Sequence, residues 1–194
     1  MTRATTFTRN RLAPRWPLFV GLAILTLTLS VIPASAAPGG QSNVAGAREA
    51  TARFHDLSAA DAAGYSVPVA DLAGITCIES AEGGMGLHYL NLSLAPELVT
   101  ADAVPAIDAS TPELLVYAPG PSGEVRLVAL EYLTLKASWD AHNAAPPTLF
   151  GQPFDETPAG NRYGLPAFYS LHAWIWNPNP MDLFAPYNPR VDCP

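Results

Sequence analysis

Four textures of apolar and polar residues succeed one another along this chain of 194 residues. The first is a run, Leu18 to Ile32, that is almost wholly apolar. The second, Asn43 to Leu57, sets Val44, Ala47, Thr51, Phe54 and Leu57 near helical spacing among good helix formers, with Asn43 placed to cap the first turn. It predicts a helix with one apolar stripe to lay on a sheet. Ser58, with Asp61 three residues on, predicts a capping box that opens a short turn ended by Gly64. From Tyr65 onward short apolar runs alternate with Pro, Gly and Asp, a third texture that predicts antiparallel strands joined by loops. The fourth begins at Asn177, where Pro178, Pro180, Pro186 and Pro189 stiffen an extended tail that must be held from outside.

Within the third texture, Ile75 to Glu79 reads as a short strand carrying Cys77. The glycine-rich stretch Ala81 to Gly86 leads into a strand, Leu87 to Leu92; it lacks the pattern of a phosphate loop, and its glycines suit close backbone packing or a bulge. Pro96 to Thr111 has no clear period. Glu113 to Ala118 and Val125 to Leu135 flank the turn Pro119 to Gly123, which predicts a β-hairpin. The second strand of that hairpin is apolar on both parities, so it is expected at the centre of the sheet, covered on both faces. Lys136 to Asn143 has room for a helical turn or two before Pro146 and Pro147 stop it. Phe168 to Trp176 reads as a core strand. The fold class that follows is α+β: an N-terminal helix on a curved, mostly antiparallel sheet or partial barrel, one domain over residues 43–194 after a flexible lead-in at 37–42.

Composition and charge narrow where such a chain works. Arg3, Arg9, Arg11 and Arg15 precede the apolar run, no acid accompanies them, and Ala34-Ser35-Ala36 follows it. This is the layout of a secretory signal peptide over residues 1–36, and the run of 15 residues is short for a membrane span of about 20. Removal of that segment leaves six basic residues against 17 acidic ones, a net charge of about −11. With one lysine, Lys136, and no basic cluster, nucleic acid and anionic membrane surfaces are poor partners, while cations fit the sign of the charge. Cys77 and Cys193, an even count in an exported chain, predict one disulfide; a thiol metal site is the competing reading.

Candidate chemistry rests on polar residues set in apolar strands. With a period of two, His88 shares a face with Leu90 and Leu92, Glu131 with Leu127, Ala129 and Leu133, and His172 with Phe168, Ser170, Trp174 and Trp176. A carboxylate in mid-strand costs several kcal/mol unless a cation or donor meets it, so Glu131 demands partners. One reading makes His88, Glu131 and His172 the ligands of a divalent zinc, copper, iron or manganese ion, with His142 as a fourth ligand and Asp140 behind it. The other makes the trio a buried hydrogen-bond network in a structural or interaction module. His55, one position off the helical stripe, reads as a solvated surface residue. Ser170 lies near His172, yet no nucleophile elbow can be drawn around it. An acid pair for glycoside cleavage has only Glu131 in a buried context. Trp139, Trp174 and Trp176 read as core rather than as a sugar platform.

Four blocks, GMGLHYLN (Gly84 to Asn91), ELLVYAP (Glu113 to Pro119), RLVALEY (Arg126 to Tyr132) and LHAWIWNPNPMDLFAPYNPRVDC (Leu171 to Cys193), occur in an order that resembles a family of uncharacterised secreted bacterial proteins. Phe54 and Ala63-Gly64-Tyr65 resemble its N-terminal part. The MG-x-HY, LLVY and L-x-x-x-EY series is also similar to that of plant and fungal oil-body-associated proteins. The resemblance implies that His88, Glu131 and His172 fall within the family's motif blocks and that His142 falls outside them. It implies no activity.

Overall fold

Residues that pair backbone to backbone around Glu131 define the architecture, seen in a computed structural model that describes Met1, residues 38–100 and residues 102–193. The expected signal segment, apart from Met1, lies outside the described residues. The strands in chain order are β1 (Val67–Pro68), β2 (Cys77–Ser80), β3 (Gly83–Leu90), β4 (Leu114–Pro119), β5 (Val125–Leu135), β6 (Thr148–Leu149), β7 (Gln152–Pro153), β8 (Asp155–Thr157) and β9 (Phe168–Ala173). The main sheet runs β1-β3-β4-β5-β9-β8, with β2 also on β3, and every pairing in it is antiparallel. It does not close into a barrel, so of the two expected forms, a curved sheet or a partial barrel, the structure shows an antiparallel sheet in an α+β fold. β6 and β7 form a separate two-stranded ribbon.

The hairpin forms as its residues dictate. β4 and β5 are joined through Pro119–Gly123, with Gly120 N–H donating to the Glu124 carbonyl and Gly123 supplying a φ of 83°. β5 lies between β4 and β9 and is covered on both faces. On one face Leu115, Tyr117, Leu130, Tyr132, Tyr169 and Leu171 pack with Phe54 and Tyr65 from the helical segment. The opposite face carries Val116, Ala129 and Trp174 toward one end and Leu114, Leu133 and Phe168 toward the other. Each such aliphatic side chain, fully buried, contributes about 1.5–3 kcal/mol.

The helical segment differs in its joints from the sequence expectation. Helix α1 spans Pro38–Thr51, so most of the stretch read as a lead-in is helical; Pro38 suits a first helical position, where a missing N–H costs nothing. A 3-10 turn, Ala52–His55, follows. Ala47, Thr51 and Phe54 are buried as the stripe requires, whereas Leu57 is exposed. The short helix α2 (Leu57–Ala62) is capped by Asp56, whose carboxylate accepts from Ser58 N–H and Oγ–H, rather than by Ser58 itself. A carboxylate reaching back from two residues earlier won over the hydroxyl. Helix α3 (Lys136–Asp140) occupies the place expected after β5.

A bulge in β5 decides which side chains meet. Val116 pairs with Ala129 but Tyr117 pairs with Leu127, so Val128 is the extra residue. Leu127 thereby turns to the helical face instead of sharing one with Glu131. The displaced Val128 carbonyl accepts two N–H groups, from Trp176 and Asn177, where the chain leaves β9. The tail beyond is held at three further places. Asn188 N–H donates to the Gly84 carbonyl, Gly84 N–H meets the Asn188 and Val191 carbonyls, and Cys193 is bonded to Cys77. The disulfide therefore shares its load with a backbone bridge. A Cβ on Gly84 would stand 2.6 Å from the Val191 carbonyl oxygen, which is why glycine occupies that position. No described helix is long and apolar enough to cross a membrane. By its internal contacts the chain divides after Ala34, and residues 35–194 form one unit.

Candidate metal centre

Sheet register brings three ionisable side chains from separate strands onto one face. His172 on β9 is the direct partner of Glu131 on β5. His88 on β3 pairs with Val116, which pairs with Ala129, two residues from Glu131 on the same face. The three side chains are buried, at 6% for His88, 7% for Glu131 and 3% for His172. His88 Nε2 lies 3.1 Å from His172 Nε2 and 3.4 Å from Glu131 Oε2. His172 Nδ1 stands 3.8 Å from Glu131 Oε1, too far for a hydrogen bond. One ligand atom from each residue falls within 4.8 Å of the other two.

The protons of this cluster follow from its hydrogen-bond partners. His88 Nδ1 is 3.2 Å from the Gly86 carbonyl, which can only accept, so Nδ1 carries the proton and Nε2 presents a lone pair to the centre. That lone pair meets the Glu131 carboxylate and the second imidazole. His172 can satisfy it through Nε2–H, and then its own Nδ1 lone pair faces Glu131. Burial above all pushes the Glu131 carboxyl up from its ordinary range, against the pull of His88 and of the Ser170 hydroxyl. Both imidazoles are pushed down to about 4, by burial in each case and at His88 also by His172, with Glu131 opposing. They are thus neutral at ordinary pH, the state in which imidazole ligates a metal. Tetrahedral zinc with Zn–N bonds of about 2.1 Å sets two donor atoms about 3.4 Å apart. The spacings from His88 Nε2, 3.1 and 3.4 Å, are close to this, while the His172 imidazole stands farther, 3.8 Å, from the Glu131 carboxylate.

Two members of the cluster, His88 and Glu131, form the polar floor of a cavity of about 290 Å³, and His172 is not among its lining residues. Its walls are apolar: Leu90, Leu114, Leu133 and Phe168 from the sheet, with Val69 and Leu165 from the covering loops. Ser170 and Tyr163 add hydroxyls. The loops after β1 and β8, which bring Val69, Ala70, Tyr163 and Leu165 to the cavity, make its roof and are tied together by Arg162 Nη2 to Asp71 Oδ2 at 2.6 Å and by Leu72 N–H to the Arg162 carbonyl. Among the described residues, none of the proline-rich tail lines the cavity.

His142 stays away from the cluster. It is exposed after α3, its Nδ1 turned to the Ser138 carbonyl at 3.0 Å. Asp140 is likewise committed elsewhere, to Lys136 and the Tyr169 hydroxyl. His142 therefore does not join His88, Glu131 and His172 as a fourth member of the cluster. His55 is exposed as expected and lies edge-on to Trp176. Trp174 is buried, donating to the Ala185 carbonyl, while Trp139 and Trp176 are half-buried. The sequence did not signal the orienting carbonyl of Gly86 or the buried Glu113, and Ser170, set aside there as a nucleophile, is half-buried beside Glu131. The positive φ of 96° at Gly86 left only a glycine as its trace. No family model, curated protein or solved structure matches this chain.

Proposed function

We propose that this is an exported protein that binds one divalent transition metal through His88 Nε2, His172 Nε2 and a carboxylate oxygen of Glu131. The remaining coordination position opens into the apolar cavity. The observation that carries this reading is the Gly86 carbonyl, which fixes His88 in the tautomer that aims a bare Nε2 at Glu131 and His172. Two imidazoles and a carboxylate, with no sulfur, suit zinc first and copper, iron or manganese after it. Export is supported by the disulfide and by the arginine-rich, apolar and small-residue blocks of the first 36 residues.

The 3.1 Å contact between the two imidazoles favours a second reading, in which a protonated Glu131 and the histidine pair only hold three strands in register. Titration of chelator-treated protein with zinc separates the two. One equivalent taken up by the native chain, and lost in His88→Ala and His172→Ala, supports the metal centre. No uptake supports the network.

A further inference from the structure

We infer that the cavity receives a small amphiphilic monoanion, a medium-chain carboxylate or a chemical equivalent, with its anionic group on the open metal position and its chain along the walls. The inference rests on the metal reading above and adds what the site would hold. Charge leads to it. A divalent ion with the Glu131 carboxylate leaves one positive charge in a buried, low-dielectric place, and a single anionic ligand cancels it. Among the residues lining the cavity, His88, Glu131 and Tyr163 alone are ionisable, and none is a fixed cation. An anionic group that enters therefore has the metal as its counter-charge. The Ser170 hydroxyl, beside Glu131 on the floor, can donate to it.

Shape and lining choose the rest of the molecule. Beyond the floor, Leu90, Leu114, Leu133, Phe168, Val69 and Leu165 offer apolar contact, and the hydrogen-bonding side chains there are few: the hydroxyls of Thr76, Thr157 and Tyr163. A sugar or a peptide would lose its hydration there without replacement, at a cost of about 1–3 kcal/mol for each unpaired polar group. An alkyl chain gains about 0.8 kcal/mol for each methylene it buries. The volume, about 290 Å³, lies at the lower end of the range for small-molecule sites, about 300–1,000 Å³. That favours a short chain with one head over a long lipid or a ring system. The Arg162–Asp71 tie holds the two roof loops over the space such a chain would occupy.

The test uses the full mature chain loaded with zinc, its content measured first by atomic absorption. Octanoate and acetate are then titrated calorimetrically, and the cobalt-substituted protein reports by its visible spectrum whether the anion reaches the metal. The expected result is octanoate binding at least tenfold tighter than acetate, with a spectral change for both. The preference should fall at least tenfold in Leu165→Trp or Leu98→Trp, at two residues that line the cavity and lie outside the cluster, so that either fills the space while leaving zinc in place. A zinc-loaded protein that binds octanoate no tighter than acetate, or binds it equally well after zinc is removed, overturns this inference alone. A chain that takes up no metal overturns the metal reading, and this inference with it.

Discussion

Glu131 stands between opposing demands. Without a metal it is a buried carboxylate with no fixed cation beside it, and in the proposed metal centre it is a ligand. Glu131→Gln keeps its shape and removes the charge. The expected result is a metal-free protein more stable at pH 7, on the order of 1 kcal/mol, together with zinc affinity at least tenfold weaker. Urea denaturation with chelator and a zinc titration measure the two effects, and a variant losing stability without zinc would contradict this balance. Glu113, just before the start of β4, carries a second buried carboxyl, 2% exposed, whose Oε2 accepts from Leu133 N–H on β5. Burial, with Glu97 and Glu131 adding repulsion and the Leu133 amide opposing, pushes it up from 4.5 to about 8. The unfolded chain gives up this proton first, so the folded state holds more protons between pH 4.5 and about 8. Stability therefore falls as pH rises through that window, by up to about 1.4 kcal/mol per pH unit from this group. Glu113→Gln should flatten that part of the profile in metal-free protein, read by urea denaturation at several pH values. The two carboxyls were unequally legible. Glu131 stands out inside an apolar strand of period two, whereas Glu113 heads its strand, where an exposed acid is ordinary.

At the scale of elements, two irregularities place the site. The bulge at Val128 turns Leu127 to the helical face and offers a carbonyl that anchors the exit from β9. The glycines of β3 let the tail and β4 approach closely. A Cβ on Gly86, at φ 96°, would lie 2.7 Å from the Tyr117 carbonyl oxygen. Gly86→Ala should cost more than about 1 kcal/mol and also weaken zinc binding, because the same residue's carbonyl orients His88. Thermal denaturation and zinc titration of this variant check both. A loss of stability with zinc affinity unchanged would separate the glycine's backbone role from its role at the site. The hairpin, the central strand and the helical stripe were legible because each follows from local periodicity and turn chemistry. The bulge was not, because Val128 is as apolar as its neighbours and the shift depends on which N–H groups reach its carbonyl. The helix cap moved from Ser58 to Asp56 for a similar reason: several polar side chains near a helix start compete for the same amides.

Across the whole molecule, the disulfide joins residues separated by 116 positions and pins the tail onto the edge of the sheet beside the cavity. A closure of that length is worth about 4–5 kcal/mol in the chain-entropy model. The Cys77→Ser, Cys193→Ser double variant should lose stability of that order, less what the Gly84–Asn188 bridge retains, as measured by urea denaturation. The pairing was legible from a count of two cysteines. The open sheet was not, because strand texture alone does not say whether first and last strands meet. The three-residue cluster depends on register across β3, β4, β5 and β9, which the motifs place in order but do not align. Whether that cluster is a metal centre is decided most directly by the metal content of the protein isolated from its native compartment and of chelator-treated protein refilled with zinc. One zinc per chain, bound by the native protein and absent from His88→Ala, is the predicted result. Only trace metal in the isolated protein, with no uptake of zinc, copper, iron or manganese on refilling, would contradict it.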